Sequence, residues 1–333
     1  MTKDLVIHED VVEELERTKW SRQGKQFLKD WRLYLLLVPL LVFLFLFRYK
    51  AMWGVLLAFQ SQDAGAATYS WRGIEGFMLL FSPDWISEFW AAFRNTFVLS
   101  MYGLCFAFPM PILLALFFSE IKNAAYRNIT QIITYLPKFL SSVVVSTIII
   151  YMLSAGSAVL GPGVLHKVLE SLGVTTTYGK GILYDPTYFR AIFQISGIWE
   201  GTGYGSIVYF AAIMSISPTS YEAAKIDGAN KIQQIRYVTL PGIASTLTIM
   251  LILRIGEILN VGYEKVILLQ NGSQESYATS NILSAWIYNL KTTQTPPADN
   301  MLVSADLFNS IIAMILVLGS NFISRQVSDT SLF

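Results

Sequence analysis

The sequence predicts an all-α integral membrane protein with six transmembrane helices. Three observations carry that expectation. Only 14% of its 333 residues are charged, 53% are hydrophobic, and mean hydropathy is +0.48. Soluble domains carry about 25% charged residues. Six apolar stretches approach the roughly 20 residues that a bilayer-crossing helix needs. The basic residues between those stretches divide unevenly, as they do across a membrane.

The spans follow in order. Residues 33–47 are uncharged and short, and Trp31, Arg32, Arg48 and Tyr49 extend them by sitting at the interfaces. Residues 97–118 hold no charge, with Pro109 and Pro111 as expected kink points. Residues 139–160 are uncharged, 191–216 carry Glu200, 243–261 carry Arg254 and Glu257, and 307–323 are uncharged. A closed barrel is excluded, because unbroken apolar runs such as 143–153 lack the alternation of barrel strands.

An even number of spans puts both termini on one side. The face holding the termini and the segments after spans 2 and 4 carries thirteen Lys and Arg, against seven on the other, Lys265 among the seven. Both termini are therefore predicted to be cytoplasmic. The transmembrane domain is expected over 31–325, between an N-terminal segment (1–30) and a C-terminal tail (326–333), both cytoplasmic. The first 30 residues hold seven acids and no apolar run, unlike a cleavable signal peptide. Leu15, Trp20, Phe27, Leu28 and Trp31 suit an interfacial helix there, and a partly ordered solvated tail is the other reading.

Composition also excludes functions. A net charge of +1 leaves no basic footprint for nucleic acid. Cys105 is the sole cysteine, and His8 and His166 lie far apart, so a metal centre or a Cys–His nucleophile is not expected. The nearest approach to a nucleotide-binding loop is Gly173 with Gly179, Lys180 and Gly181. Its spacing is one residue too long, and Gly181 offers no hydroxyl for magnesium. Gly201, Gly203 and Gly205 form no dinucleotide fingerprint. Within span 4 they suit close helix packing, or a ligand pressed against backbone.

The segment 217–241 carries the strongest local signal. Ser217-Pro218 suits an N-cap and first helical position, and Thr219 with Glu222 has capping-box spacing in a competing register. Gly228 suits a helix stop. A second helix carries Ile232, Ile235 and Val238 on one face, with Pro241 ending it. The small Ala223 and Ala224 beside Glu222 let another protein approach closely, and the carboxylate can take a basic side chain.

Glu222-Ala223-Ala224, then Gly228, then Val238-Thr239-Leu240-Pro241 resembles the EAA motif of permease subunits of binding-protein-dependent ABC importers. Val238 replaces the usual Ile, and Asp227-Gly228-Ala229 fits the form common among sugar permeases. IWEGTGYGSI at 198–207, LRIG at 253–256 and LNVGYEKV at 259–266 resemble the subfamily handling oligosaccharides and polysaccharide fragments, alginate importers included. The resemblance implies a type I ABC importer permease fold in the bacterial inner membrane. It implies a second permease subunit, two ATPase subunits that bind ATP and Mg, and an extracytoplasmic solute-binding protein delivering a sugar. Glu222, Ala223, Ala224, Asp227, Gly228, Leu240 and Pro241 would then form the ATPase-docking segment. The chain itself would bind no cofactor and catalyse no reaction.

Ionisable residues at membrane depth are functional candidates. Arg254, Glu257 and Asn260 recur at intervals of three and are expected on one helical face. Either Arg254 and Glu257 pair to lock helix register, or the stripe faces the pathway and Arg254 meets substrate. Trp199, Glu200 and Tyr204 of span 4 are the other pathway candidates. An ion-coupled secondary sugar transporter is the rival function, but no inverted repeat is visible and it leaves the EAA segment unexplained.

Overall fold

The computed structural model describes residues 29–62, 68–156, 161–174, 181–292 and 298–327. Most of the N-terminal segment, the tail from 328, Gly179, Lys180 and Leu160 lie outside the described residues. The chain divides into two compact units, residues 1–57 and 58–333.

The first unit contains most of α1 (Trp31–Phe59), an apolar helix with none of its most apolar stretch buried. Leu, Val and Phe point outward all round it, as on a helix solvated by lipid.

The second unit opens with β1 (Gln60–Gln62), paired antiparallel with β2 (Tyr69–Trp71) so that Gln60 faces Trp71. α2 (Glu75–Leu80) follows, then α3 (Ile86–Glu120), 35 residues long. Just before Pro109 and Pro111, the expected kink points, lies a π turn over Gly103–Ala107, where the Phe108 N–H reaches the Gly103 carbonyl at 3.0 Å. A proline lacks the N–H and clashes with the carbonyl four residues back. The wider turn just before Pro109 absorbs the mismatch without breaking the helix.

The third expected span, 139–160, is not one straight helix. α4 (Ala124–Phe139) and α5 (Ser142–Leu153) meet at 95°. Ser141 restarts the chain by accepting the Val144 N–H at 3.3 Å, after Pro137 in the last turn of α4. α5 alone, at 12 residues and about 18 Å, is too short to cross a bilayer.

α6 (Val164–Ser171) precedes α7 (Pro186–Met214), a 29-residue helix. Asp185 caps α7 by accepting the Thr187 N–H at 2.8 Å, and Pro186 occupies its first position. α8 (Pro218–Ile226) leads to α9 (Lys231–Gly242) and α10 (Ala244–Gly256), which meet at 67°. Pro241 does not end α9. A π turn over Ile235–Thr239 accommodates it, and the bend falls after Gly242. α10 stops at Gly256, so Glu257 is its C-cap and Asn260 lies beyond it. The expected helical stripe of Arg254, Glu257 and Asn260 therefore does not form. Glycine ends helices readily, and here a Cβ would lie 3.1 Å from Val317 of the last helix.

α11 (Tyr263–Gln270), α12 (Tyr277–Ser280), α13 (Leu283–Lys291) and α14 (Asp299–Val327) complete the chain. The stretch holding Lys265, expected in an outer segment, forms α11, whose Val266 and Leu269 are fully buried in one cluster with Leu99, Leu153 and Phe189. A second cluster joins Leu80, Phe89, Trp286 and Met301, and a third joins Ala115, Tyr209, Ile213 and Ile243.

Among the described residues three helices are long and apolar enough to cross a membrane: α1, α3 and Asp299–Arg325 of α14. Counting each bent pair as one span gives five. α7 has the length, but Glu200 and four glycines dilute its hydropathy. The chain is an all-α, multi-pass membrane protein.

Candidate functional site

A cavity of about 270 Å³ opens between α3, α7 and the turn joining α10 to α11. Gln194, Glu200, Arg254, Glu257, Asn260 and Lys265 line it. The path of the chain explains the convergence. The stop at Gly256 turns Glu257 and Asn260 off the helix and into the space beside α7, and α11 then returns Lys265 to the same place.

Lys265 donates to Glu200 at 3.1 Å, and these side chains are only 13% and 17% exposed. The Lys265 ammonium also lies 5.6 Å from the centre of the Phe193 ring. Sequence reasoning missed this pair, because Lys265 stood in a stretch taken for an outer segment. The apolar 266–269 run was the available signal. No ion pair joins Arg254 to Glu257 among the described residues, although both line the cavity. The Arg254 guanidinium instead approaches Gly103, where a Cβ would come within 3.3 Å of Nη2.

An adjoining cavity of about 530 Å³ shares Gly201, Arg254 and Glu257 and adds Tyr204. Four of the six expected pathway residues thus meet in the first cavity and Tyr204 lies in the second. Trp199 lines neither and is half exposed on α7. The glycines at 201, 203 and 205 of α7 divide by role. A Cβ on Gly203 would fall 1.9 Å from the Thr134 carbonyl oxygen, and one on Gly205 would press Pro111 at 3.1 Å. Gly201 has nothing within 4 Å and opens onto both cavities.

The 217–241 segment forms a helix–turn–helix. Ser217 is the N-cap residue of α8 and its hydroxyl meets that of Thr219 at 2.7 Å, so the competing Thr219–Glu222 capping register does not form. The Gly228 N–H bonds the Lys225 carbonyl and the Ala229 N–H bonds that of Ala224, the paired bonds of a Schellman stop. Gly228 has φ +78°, which a Cβ disfavours. Asn230 and Gln233 make a reciprocal capping box, visible in the sequence but missed there. Two further contacts join the helices: the Tyr221 and Thr239 hydroxyls at 3.1 Å, and Gln234 donating to the Ala229 carbonyl at 2.9 Å.

No residue of α8 is buried. Glu222, Ala223, Asp227, Gly228 and Pro241 are exposed, and Ala224 and Leu240 are half-buried. Ile232 does not share an inward face with Ile235 and Val238: it is exposed, and Gln234 and Thr239 are buried instead. Lys231 reaches back to Glu120, at the end of α3, at 2.6 Å.

Residues 107–328 match the family described as "Binding-protein-dependent transport system inner membrane component". The chain is 35% identical to "Protein LplB" of Bacillus subtilis (strain 168), over 96% of this chain and 92% of that protein. It is 31% identical to "Polygalacturonan/rhamnogalacturonan transport system permease protein YteP" of the same organism, over 90% of each. Among solved structures it resembles a chain of a bacterial ABC transporter involved in the import of the acidic polysaccharide alginate. There the TM-score is 0.78 and the identity 38%, over 92% of this chain and 99% of that one. A second alginate transporter structure, in complex with a pentasaccharide-bound periplasmic protein, matches with a TM-score of 0.78 and 37% identity, over 93% and 100%.

Proposed function

The chain belongs to the family of binding-protein-dependent transport system inner membrane components, and from that premise we propose how it works and what it carries. It is a permease subunit of a sugar-type ABC importer, a transport subunit that works with a solute-binding protein. An ion-coupled secondary transporter is not favoured. The permease spans the membrane six times, through α1, α3, the α4–α5 pair, α7, α10 with the turn that follows it, and α14. Both termini and the 217–241 segment face the cytoplasm. A second permease completes the pathway, and separate ATPase subunits bind ATP and Mg.

Glu222, Ala223, Ala224, Asp227, Gly228, Leu240 and Pro241 belong to the surface that meets an ATPase. The observation that carries this reading is α8, nine residues with none buried and Ile226 at its end 87% exposed. A whole helix left unburied on a capped turn is free to enter a cleft in a partner. The test uses the purified complex in proteoliposomes. Glu222→Lys and Gly228→Pro should each leave membrane insertion intact and uncouple ATP hydrolysis from uptake. Normal substrate-stimulated ATPase activity and transport in both variants would remove the docking assignment.

The cargo is an acidic oligosaccharide, and the central cavity is part of its path. Among the described residues Arg254 stands there without an ionic partner, and it can take a carboxylate bidentately. Gln194, Glu257 and Asn260 can bond hydroxyls. Relatives named for alginate and for polygalacturonan support an acidic cargo. Trp199, outside both cavities, is the one pathway candidate for which the geometry offers no role.

A further inference from the structure

The central cavity is not alone on α3. Toward the N-terminus of that helix a larger cavity of about 640 Å³ is lined by Glu88, Arg94, Asn95, Tyr277, Asn281 and Asn289. Its walls come from α3, α12 and α13, and its amides, phenol and guanidinium are the groups that bind sugar hydroxyls and carboxylates. Burial pushes the Tyr277 phenol up, so it keeps its proton, and its oxygen accepts from Asn289 at 3.2 Å.

A third cavity, of about 540 Å³, lies between these two in the order of their contacts. Arg190 and Gln194 of α7 line it. Arg190 donates to Asn95 of the outer cavity at 2.9 Å, and Gln194 also lines the central one. Gly103 marks the level of Arg254. It stands eight residues along α3 from Asn95, about 12 Å at 1.5 Å per residue.

Charge follows the same line. The three cavities hold five basic and three acidic side chains. Two of the acids are engaged, Glu200 by Lys265 and Glu88 by the Trp286 indole N–H at 3.2 Å. Arg94, Arg190 and Arg254 make no ion pair among the described residues. We propose that these three arginines are successive carboxylate-binding steps along one path, and that the cavity at Arg94 is a second saccharide subsite for an acidic oligosaccharide. The proposal rests on the acidic-cargo reading above. Physically, transport needs sites that hold the cargo enough to admit it and weakly enough to release it, and several partial sites meet that need better than one tight site.

The complete complex with its solute-binding protein, reconstituted in proteoliposomes, tests this. Uptake is measured for an alginate pentasaccharide, a galacturonate oligomer and a neutral malto-oligosaccharide of equal length. Wild type should carry an acidic oligomer. Arg94→Gln should lower that uptake by roughly tenfold or more, the scale of one lost charge-assisted hydrogen bond. Arg94→Glu should abolish it and Arg94→Lys should retain most of it. Arg94 is exposed, so these variants should assemble at wild-type levels. Arg190→Lys against Arg190→Gln repeats the comparison one step inward. If wild type carries an acidic oligomer and Arg94→Gln and Arg94→Glu match it, the series is wrong and the cargo reading stands. If wild type carries the neutral oligomer alone, the cargo reading fails and the series falls with it.

Discussion

Single atoms decide the behaviour of α7. Gly201 and Gly203 stand two residues apart, yet a methyl group on Gly203 would collide with the Thr134 backbone while one on Gly201 would meet open space. Gly203→Ala must push α4 away from α7, and overpacking of that kind costs about 1–3 kcal/mol or more. Thermal unfolding of the detergent-purified complex should therefore drop for Gly203→Ala and stay unchanged for Gly201→Ala. Equal losses would contradict the packing described. The Glu200–Lys265 pair makes a second prediction at this scale. Glu200→Gln leaves a nearly buried ammonium without its partner, which typically costs about 3–5 kcal/mol. Adding Lys265→Met should recover most of that loss in the same melting assay. A double variant as unstable as the single would mean that the charge pair is not what holds α11 against α7.

At the scale of elements, the 217–241 segment is held by local rules and, among the described residues, tied to the bundle by one ion pair. The Schellman stop and the Asn230 capping box shape the turn. Asn230→Ala should cost about 1 kcal/mol, the usual value of a cap, measured as lost thermal stability. The tie is Lys231 to Glu120, an exposed pair between α9 and the end of the helix that lines the cavities. Exposed pairs contribute at most about 1 kcal/mol, so stability should hardly respond to breaking it. Coupling should respond: Glu120→Lys lowers the ratio of sugar moved to ATP hydrolysed, and adding Lys231→Glu restores it. A ratio unchanged by Glu120→Lys would show that motion does not pass through this contact.

For the molecule as a whole, the proposed orientation puts Lys291 outside and Lys225 inside, and a labelling experiment checks it. In a Cys105→Ala background, single cysteines replace Lys225 or Lys291. An impermeant thiol reagent applied to cells with the outer membrane face accessible should label position 291 and spare 225. The reverse pattern would invert the topology.

The membrane class and the helix–turn–helix of 217–241 were legible in the sequence because both depend on short-range properties. Hydropathy over 20 residues decides what lipid accepts, and a motif within 25 residues folds on its own caps and stops. Span 3 was misjudged because an uncharged run says nothing about a 95° bend at Ser141. The site was only half legible for the same reason. Glu200, Arg254, Glu257 and Asn260 were identified by charge and polarity at membrane depth, but their partners were not. A spacing of three put Arg254 and Glu257 on one helical face, where they could pair or face the pathway, and the helix stop at Gly256 broke that face. Lys265 became the partner of Glu200 because α11 packs beneath α5, 65 residues along the chain from that carboxylate. Composition and local pattern thus determined that the chain lives in a membrane and that 217–241 folds as a capped helix–turn–helix. Which charges meet, and which glycines face a cavity, only the tertiary structure decided, since those depend on how distant helices approach one another.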